Sequence, residues 1–466
     1  MTPRILVPCT LALLAALGCT SITQIRTVEP APQDASGHPD ILAPPSTDTA
    51  AFLDCRTGSP AKGENLRIIE DYGNYVLGFA EFDDQGWGYK HDQQLAVIND
   101  RVDAELSNPA LAGTDFLVLV FIHGWHHNAH DNDCNVQEFR QMVRIAAEGT
   151  EAARREHLLV KPRRVVGIYV GWRGESVAAP ALRYLTVADR RDAAERVAKG
   201  SVRRLFANLH ERQIRAQRVR VDRMRTVIIG HSFGGLVAYS ALSQGVLNDL
   251  TLETSESPRL CDLWDPRHAA ITASPVWPDA LILINPAFEA SRFEEFDRLT
   301  KGLTPCVPPA QKSNRLVVPS VIVVTAANDI WTGKIFTAGR TASTVFEGYD
   351  RTNAEATQKE RASNLHAIGF VKSYQTHHLD LTPNETPPRA VARLVPGAAS
   401  TLNAQSPVWV VVASEAVVNG HNGFLYTRPK DKNPSPYLAN WLLDMYDMDC
   451  NAAPGMLDCA DAAAGN

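Results

Sequence analysis

The 466-residue chain has no basic excess, no long apolar run after its N-terminal stretch and no internal repeat. Its 46 Lys and Arg stand against 52 Asp and Glu, a formal net charge of −6, so the charge balance recommends no nucleic-acid partner. One uninterrupted apolar run and a mean hydropathy of −0.17 exclude a polytopic membrane protein. With 45% hydrophobic and 21% charged residues, the chain also lacks the biases of collagen-like, coiled-coil and wholly disordered sequences. Neither a His-Glu-x-x-His run nor a cysteine pair at zinc spacing occurs, so the usual sequence signs of a metal enzyme are missing. At about 150 residues per domain, the length allows two or three domains, or one large domain with insertions.

What is present begins at the N-terminus. Arg4 precedes Ile5-Leu6-Val7 and the run Leu11 to Leu17, and Gly18-Cys19 closes the stretch. A cationic start, a short apolar core and a small residue at the end make the layout of a secretory signal over residues 1–18, too short for a comfortable membrane span. Ala16-Leu17-Gly18-Cys19 resembles the lipobox of bacterial lipoproteins, in which the cysteine is acylated and becomes the new N-terminus. An ordinary cleaved signal is the alternative. The resemblance implies export to the bacterial cell envelope and an anchor at Cys19, on the periplasmic or surface side of a membrane. Acyl chains hold by about 0.8 kcal/mol per buried methylene.

Residues 19–65 then read as the lipidated cysteine and a flexible tether, since Pro30, Pro32, Pro39, Pro44, Pro45 and Pro60 stand among small polar residues. Besides Cys19, an exported chain keeps Cys55, Cys134, Cys261, Cys306, Cys450 and Cys459, a number that suits disulfides and allows 15 pairings. Cys450 and Cys459 are a candidate local pair. Cys134 and Cys261 read equally well as buried small hydrophobes.

From about residue 66 the pattern alternates. Strands are expected over 74–82, 116–122, 164–170, 226–229, 280–284, 317–325 and 408–412, several of them continuous apolar runs of the kind that a strand covered on both faces requires. Helices are expected over 91–107, 136–157, 180–220, 236–247 and 437–445 from their apolar periodicity. Repeated strand–helix alternation predicts an α/β domain over 66–450, a mostly parallel central sheet flanked by helices. Helical or irregular insertions are expected near 175–222 and 335–400, followed by a C-terminal tail over 451–466. In the first insertion, Leu182, Tyr184, Leu185, Val187 and Val197 could line an acyl pocket or simply cover the core.

Directly after the strand at 226–229 stands Gly230-His231-Ser232-Phe233-Gly234-Gly235, followed by an apolar helix. A tight strand-to-helix turn needs small residues beside its serine, because the serine sits in a strained backbone conformation that exposes its hydroxyl above the sheet. A serine hydroxyl is a poor nucleophile until a base takes its proton. His421, in the Gly-flanked loop Asn419-Gly420-His421-Asn422-Gly423 past the last strand, is the candidate base; His366, His377 and His378 are rivals inside the second insertion. The imidazole needs a carboxylate to fix its tautomer. Asp329 follows a strand at the edge where open α/β sheets put their sites, and Glu289, after the preceding strand, is the alternative acid.

The order Ser232, Asp329, His421 on those strand ends, with an upstream His123-Gly124-Trp125, resembles the lipase and esterase branches of the α/β-hydrolase superfamily. The resemblance implies an oxyanion hole from the backbone N–H groups of Trp125 and Phe233, with His123, Gly124, Gly230, His231 and Gly234 in supporting roles. It implies an acyl-enzyme on Ser232, a small-molecule or lipid ester as substrate, and no metal or organic cofactor. Two other readings stand beside it. One is a non-catalytic binding lipoprotein on the same fold. The other is a metal-dependent hydrolase using His123, His126, His127, His130, Asp131 and Asp133, whose imidazoles and carboxylates suit zinc-like ions.

Overall fold

The computed structural model describes residues 23–29, 41–45, 64–155, 163–176, 186–219, 224–255, 276–302, 319–349, 353–383, 385–386, 388–395, 406–424 and 436–447. The signal segment 1–18, Cys19, much of the 19–65 stretch, Leu182, Tyr184, Leu185 and the tail 451–466 lie outside the described residues. So do Cys55, Cys261, Cys306, Cys450 and Cys459. Among the described residues no helix is long and apolar enough to cross a membrane.

The chain runs through β1 (Ile69–Asp71), β2 (Tyr75–Phe82), α1 (Tyr89–Ser107), β3 (Asp115–Ile122), α2 (Cys134–Arg155) and β4 (Arg163–Trp172). It continues through α3 (Val187–Lys199), α4 (Val202–Val219), β5 (Met224–His231), α5 (Phe233–Ser255), β6 (Ala280–Ile284), α6 (Glu294–Gly302) and β7 (Val321–Ala326). After β7 come α7 (Phe336–Ser343), α8 (Ala354–Leu365), β8 (His377–Leu381), β9 (Ala390–Leu394), β10 (Val408–Ala413) and α9 (Tyr437–Asp447). The ten strands form one sheet in the order β1-β2-β4-β3-β5-β6-β7-β10-β8-β9. Only the outermost pairings, β1 with β2 and β8 with β9, are antiparallel. A mostly parallel sheet flanked by helices is consistent with an α/β-hydrolase-like fold.

Continuous apolar strands fit because both faces of the sheet are covered. All eight residues of β3 are buried. Val118, Val120 and Ile122 enter the core under α1, α3, α4, α5 and α6, while Leu117, Leu119 and Phe121 enter the opposite core under α2 and α9. Each such side chain contributes about 1.5–3 kcal/mol on burial.

Three expectations need correction. Residues 23–29 and 41–45 are docked on the domain rather than part of a free tether: Thr27 and Val28 donate backbone hydrogen bonds to Leu66, Leu42 donates to Asp71, and Arg26 is fully buried. The 175–222 insertion holds α3 and α4, whose Ala193, Ala194, Val197, Leu205, Phe206 and Leu209 are fully or almost fully buried, so both belong to the ordinary helical layer. The 335–400 insertion holds, besides α7 and α8, the strands β8 and β9, which extend the sheet past β10. Cys134, readable as a buried hydrophobe, is buried and also disulfide-bonded.

Candidate active site

Parallel strands β3, β5, β6, β7 and β10 end along one edge of the sheet, and the candidate residues lie in the loops just past those ends. Ser232 is the single residue between β5 and α5. It adopts φ +55°, a left-handed conformation that costs a non-glycine residue about 1–3 kcal/mol. Tight packing holds it there: its N–H donates to Ile284 on β6, and its carbonyl accepts from Ala287 and Leu236. The neighbouring glycines are a steric necessity. A Cβ on Gly230 would meet the Gly234 carbonyl oxygen at 2.5 Å, and one on Gly234 would meet the Ile122 carbonyl oxygen at 2.0 Å. Gly124 presses on Ser232 directly, since a Cβ there would lie 2.8 Å from the Ser232 Cβ, so only a glycine lets this loop pass so close to the serine.

The three expected side chains meet. The Ser232 Oγ lies 2.9 Å from His421 Nε2, and His421 Nδ1 lies 2.8 Å from Asp329 Oδ2. An ionised carboxylate only accepts, so Nδ1 carries the ring proton and Nε2 is left to accept from the serine hydroxyl. Asp329 is itself held by Trp331 N–H at 2.8 Å, by Thr332 N–H at 3.3 Å and by the Thr332 hydroxyl. Burial pushes the Asp329 pKa up, but the hydrogen bond and charge of His421, together with Thr332, outweigh it and keep the carboxyl below its ordinary value. Such a chain can take the proton from the serine oxygen as that oxygen attacks an electrophile.

Asn328 and Thr332 carry no sequence signature and were not anticipated. Asn328 accepts from the Gly420 N–H at 2.7 Å and donates to Asn419 at 3.0 Å, which ties the loop carrying His421 to the loop carrying Asp329. Both residues flank a candidate acid within three positions, the one clue available in the sequence.

The remaining candidates sort by their partners. His123 is fully buried; Nδ1 donates to the Gly124 carbonyl at 2.8 Å and Nε2 accepts from the Trp172 N–H at 2.9 Å. Burial pushes its pKa down to about 4, so the ring is a neutral brace for the Gly124 loop. His231 ends β5 with its ring 5.0 Å from that of His421. The rings of Phe233 and Trp125 lie 6.4 Å apart at a tilt, and Trp125 packs edge-on to Trp331 at 5.9 Å, so an aromatic cluster joins the residue after the serine to the turn after the acid. The rival histidines do not reach Ser232. His366 hydrogen-bonds Thr337, His377 stacks on Trp409, and His378 lies on β8 beside it. Glu289 pairs with Arg191, Arg292 and Arg340 instead of a histidine.

The crowd of donors at 123–133 does not converge. His127 pairs with Asp133, His130 with Glu64, His126 faces Glu175, and Asp131 pairs with Arg140. Among the described residues no group of three or more His, Cys, Asp or Glu is arranged to hold a metal ion. The metal-dependent reading of this cluster is therefore dropped on its donor geometry.

No protein-family model matches the sequence, and no curated protein matches it. Among solved structures, the chain is similar to those of a phospholipase. One is phospholipase PlaB from Legionella pneumophila in complex with thio-NAD, with 12% identity, a TM-score of 0.27, and coverage of 75% of this chain and 61% of that one. The other is phospholipase PlaB from the same organism, with 14% identity, a TM-score of 0.22, and coverage of 60% and 50%. The chain thus spans less than two thirds of the length of both.

Proposed function

We propose that this chain is a serine hydrolase of the α/β-hydrolase type that cleaves carboxylic esters through an acyl-enzyme on Ser232. The observation that carries the proposal is the unbroken chain from Ser232 Oγ through His421 to Asp329, with the serine at φ +55°. His421 Nε2 takes the hydroxyl proton as Oγ attacks the ester carbonyl. The N–H groups of Trp125 and Phe233 stabilise the oxyanion, a role supported by the close approach of Gly124 and by the position of Phe233 at the first turn of α5. The imidazolium, steadied by the ionised Asp329, returns that proton to the leaving alkoxide. Water, deprotonated by the same ring, then attacks the acyl carbonyl, and as the bond to Ser232 Oγ breaks the ring returns that proton to the serine and the acid leaves.

A fluorophosphonate probe and a panel of esters of graded chain length test the proposal. The wild-type protein is expected to label on Ser232 and to hydrolyse at least one ester. Ser232→Ala and His421→Ala are each expected to lose about 10⁴–10⁶-fold in kcat. A well-folded wild type that neither labels nor turns over would leave the non-catalytic binding reading. We further propose export to the bacterial envelope with an acyl anchor on Cys19, and the Cys134 disulfide supports an oxidising compartment. Mass spectrometry of the mature N-terminus decides between an acylated Cys19 and an ordinary cleaved end.

A further inference from the structure

Beneath the ring of His421, two side chains from two other elements converge on its main-chain carbonyl. Asn285 Nδ2 donates to the His421 oxygen at 2.8 Å and to the Gly420 oxygen at 3.1 Å. His231 Nε2 donates to the same His421 oxygen at 2.9 Å. Both donors are almost completely buried. Asn285 is locked in turn: its Oδ1 accepts from the Ala326 N–H at 2.8 Å, its own N–H donates to Val324 at 2.8 Å, and its φ is +43°, a conformation that asparagine tolerates better than most residues.

We propose that Asn285 and His231 form a two-point clamp that positions His421, fixing the backbone of the base relative to the strand that carries the nucleophile. His421 stands at the tip of a loop whose ends are joined by the Asn419 N–H donating to Gly423 at 3.1 Å, with Gly420 at φ +66°; that bond and the Asn328 contacts hold the base of the loop, and the clamp holds the His421 peptide itself. The clamp refers it to β5, whose last residue His231 adjoins Ser232, and to β6, whose following residue Asn285 lies two residues before the Ala287 that hydrogen-bonds the Ser232 carbonyl. Both donors must be uncharged, because the imidazolium formed at His421 during turnover would repel a second cation 5.0 Å away. A carboxamide meets that condition by its nature. The buried ring of His231 meets it through its environment: burial first, then the neighbouring His421 and His127, push its pKa far below the ordinary range. The clamp rests on the reading of His421 as a base, so its test includes a readout that needs no turnover.

Three variants and two measurements decide. Asn285→Asp keeps the shape and the acceptor for Ala326 but removes both N–H donors. His231→Phe keeps the ring volume and removes the donor, while His231→Gln keeps a donor near the same point. Displacing a catalytic group by an ångström can cost about 100-fold, so Asn285→Asp is expected to lower kcat on a short ester by about 10–100-fold with KM within about twofold. His231→Phe should fall in the same direction, and His231→Gln should recover most of that loss. Independently of activity, proton NMR of the resting protein should show the downfield His421 Nδ1–H that Asp329 accepts, assigned by its disappearance in Asp329→Asn. That resonance should broaden or vanish in Asn285→Asp and His231→Phe and persist in His231→Gln. An unchanged resonance in folded Asn285→Asp and His231→Phe overturns the clamp, as does a kcat within twofold of wild type. Loss of the resonance in a protein whose wild type never labels on Ser232 would support the clamp and sink the hydrolase reading alone.

Discussion

Asp329 and Glu289 are both buried carboxylates just past neighbouring parallel strands, and their partners assign them different work. Asp329 faces an imidazole, whereas Glu289 faces the guanidiniums of Arg191, Arg292 and Arg340. For Glu289, burial pushes the pKa up, and Arg191 and the other arginines more than offset it, so the carboxyl stays charged and stitches three segments together. Asp329→Asn should cost about 10³–10⁴-fold in kcat/KM with little change in the thermal midpoint, because a neutral amide cannot stabilise the imidazolium. Glu289→Gln should do the reverse, lowering stability by about 1–3 kcal/mol in urea titration, since its arginines are partly exposed and screened. A folded Glu289→Gln protein without activity would move the acid role to that residue. At this scale Ser232 was legible because a strained serine demands glycines beside it in the chain. Asn285 was not, since one asparagine after a strand has no spacing that marks it; only the carbonyl it reaches 136 positions later reveals its use.

The turn from β5 into α5 shows how a local pattern becomes an element-level constraint. Gly234 packs against the end of β3, where an added Cβ would lie 2.0 Å from the Ile122 carbonyl oxygen and 2.6 Å from that of His123. Both contacts are with buried backbone, at the last residue of β3 and the residue after it, so nothing small can give way. Gly235 would meet the Pro286 Cβ at 3.1 Å, a contact relieved by a shift of a few tenths of an ångström. Gly234→Ala should therefore fail to accumulate as folded protein, while Gly235→Ala should fold with a thermal midpoint lowered by only a few degrees. Differential scanning calorimetry on whatever soluble protein each variant yields compares them, and equal midpoints would show that the turn is looser than these contacts require. The central strands were legible because burial on both faces forces long apolar runs. β8 and β9 were missed because they are short, partly exposed strands: β8 alternates buried and exposed residues in His377-His378-Leu379-Asp380-Leu381, and β9 has no fully buried position. Polar side chains are permitted there, so neither segment differs from an irregular insertion in sequence alone.

Across the whole molecule, the N-terminal segment is fastened to the same sheet edge as the candidate site. Arg26 pairs with Glu70 at 2.9 Å, donates to the Ala129 carbonyl at 2.8 Å in the loop that follows Trp125, and lies 3.8 Å over the Phe79 ring. The backbone N–H groups of Ile25 and Arg26 donate to Glu81 near the end of β2. An acyl anchor on Cys19 would precede Thr23 by four residues, at most about 14 Å of extended chain. Composition could not reveal this docking, because its driving force is one buried network and not an apolar pattern. Glu70 is the hub, fully buried between Arg26 and Arg140 with the Tyr72 hydroxyl donating at 2.7 Å. Burial pushes its pKa up, but Arg140 first, then Arg26 and Tyr72, draw it down to about 2. A carboxyl depressed in the folded state adds stability that is fully present above its unfolded value near pH 4.5 and is lost as pH falls toward 2. The urea midpoint of the wild type should drop steeply across that window. Glu70→Gln, which leaves two buried guanidiniums short of a partner, should cost about 3–5 kcal/mol at neutral pH and flatten the drop. If the wild type and Glu70→Gln lose stability in parallel between pH 4.5 and 2, the acid sensitivity belongs to other carboxylates, and the N-terminal segment is held by its backbone hydrogen bonds and not by this charge.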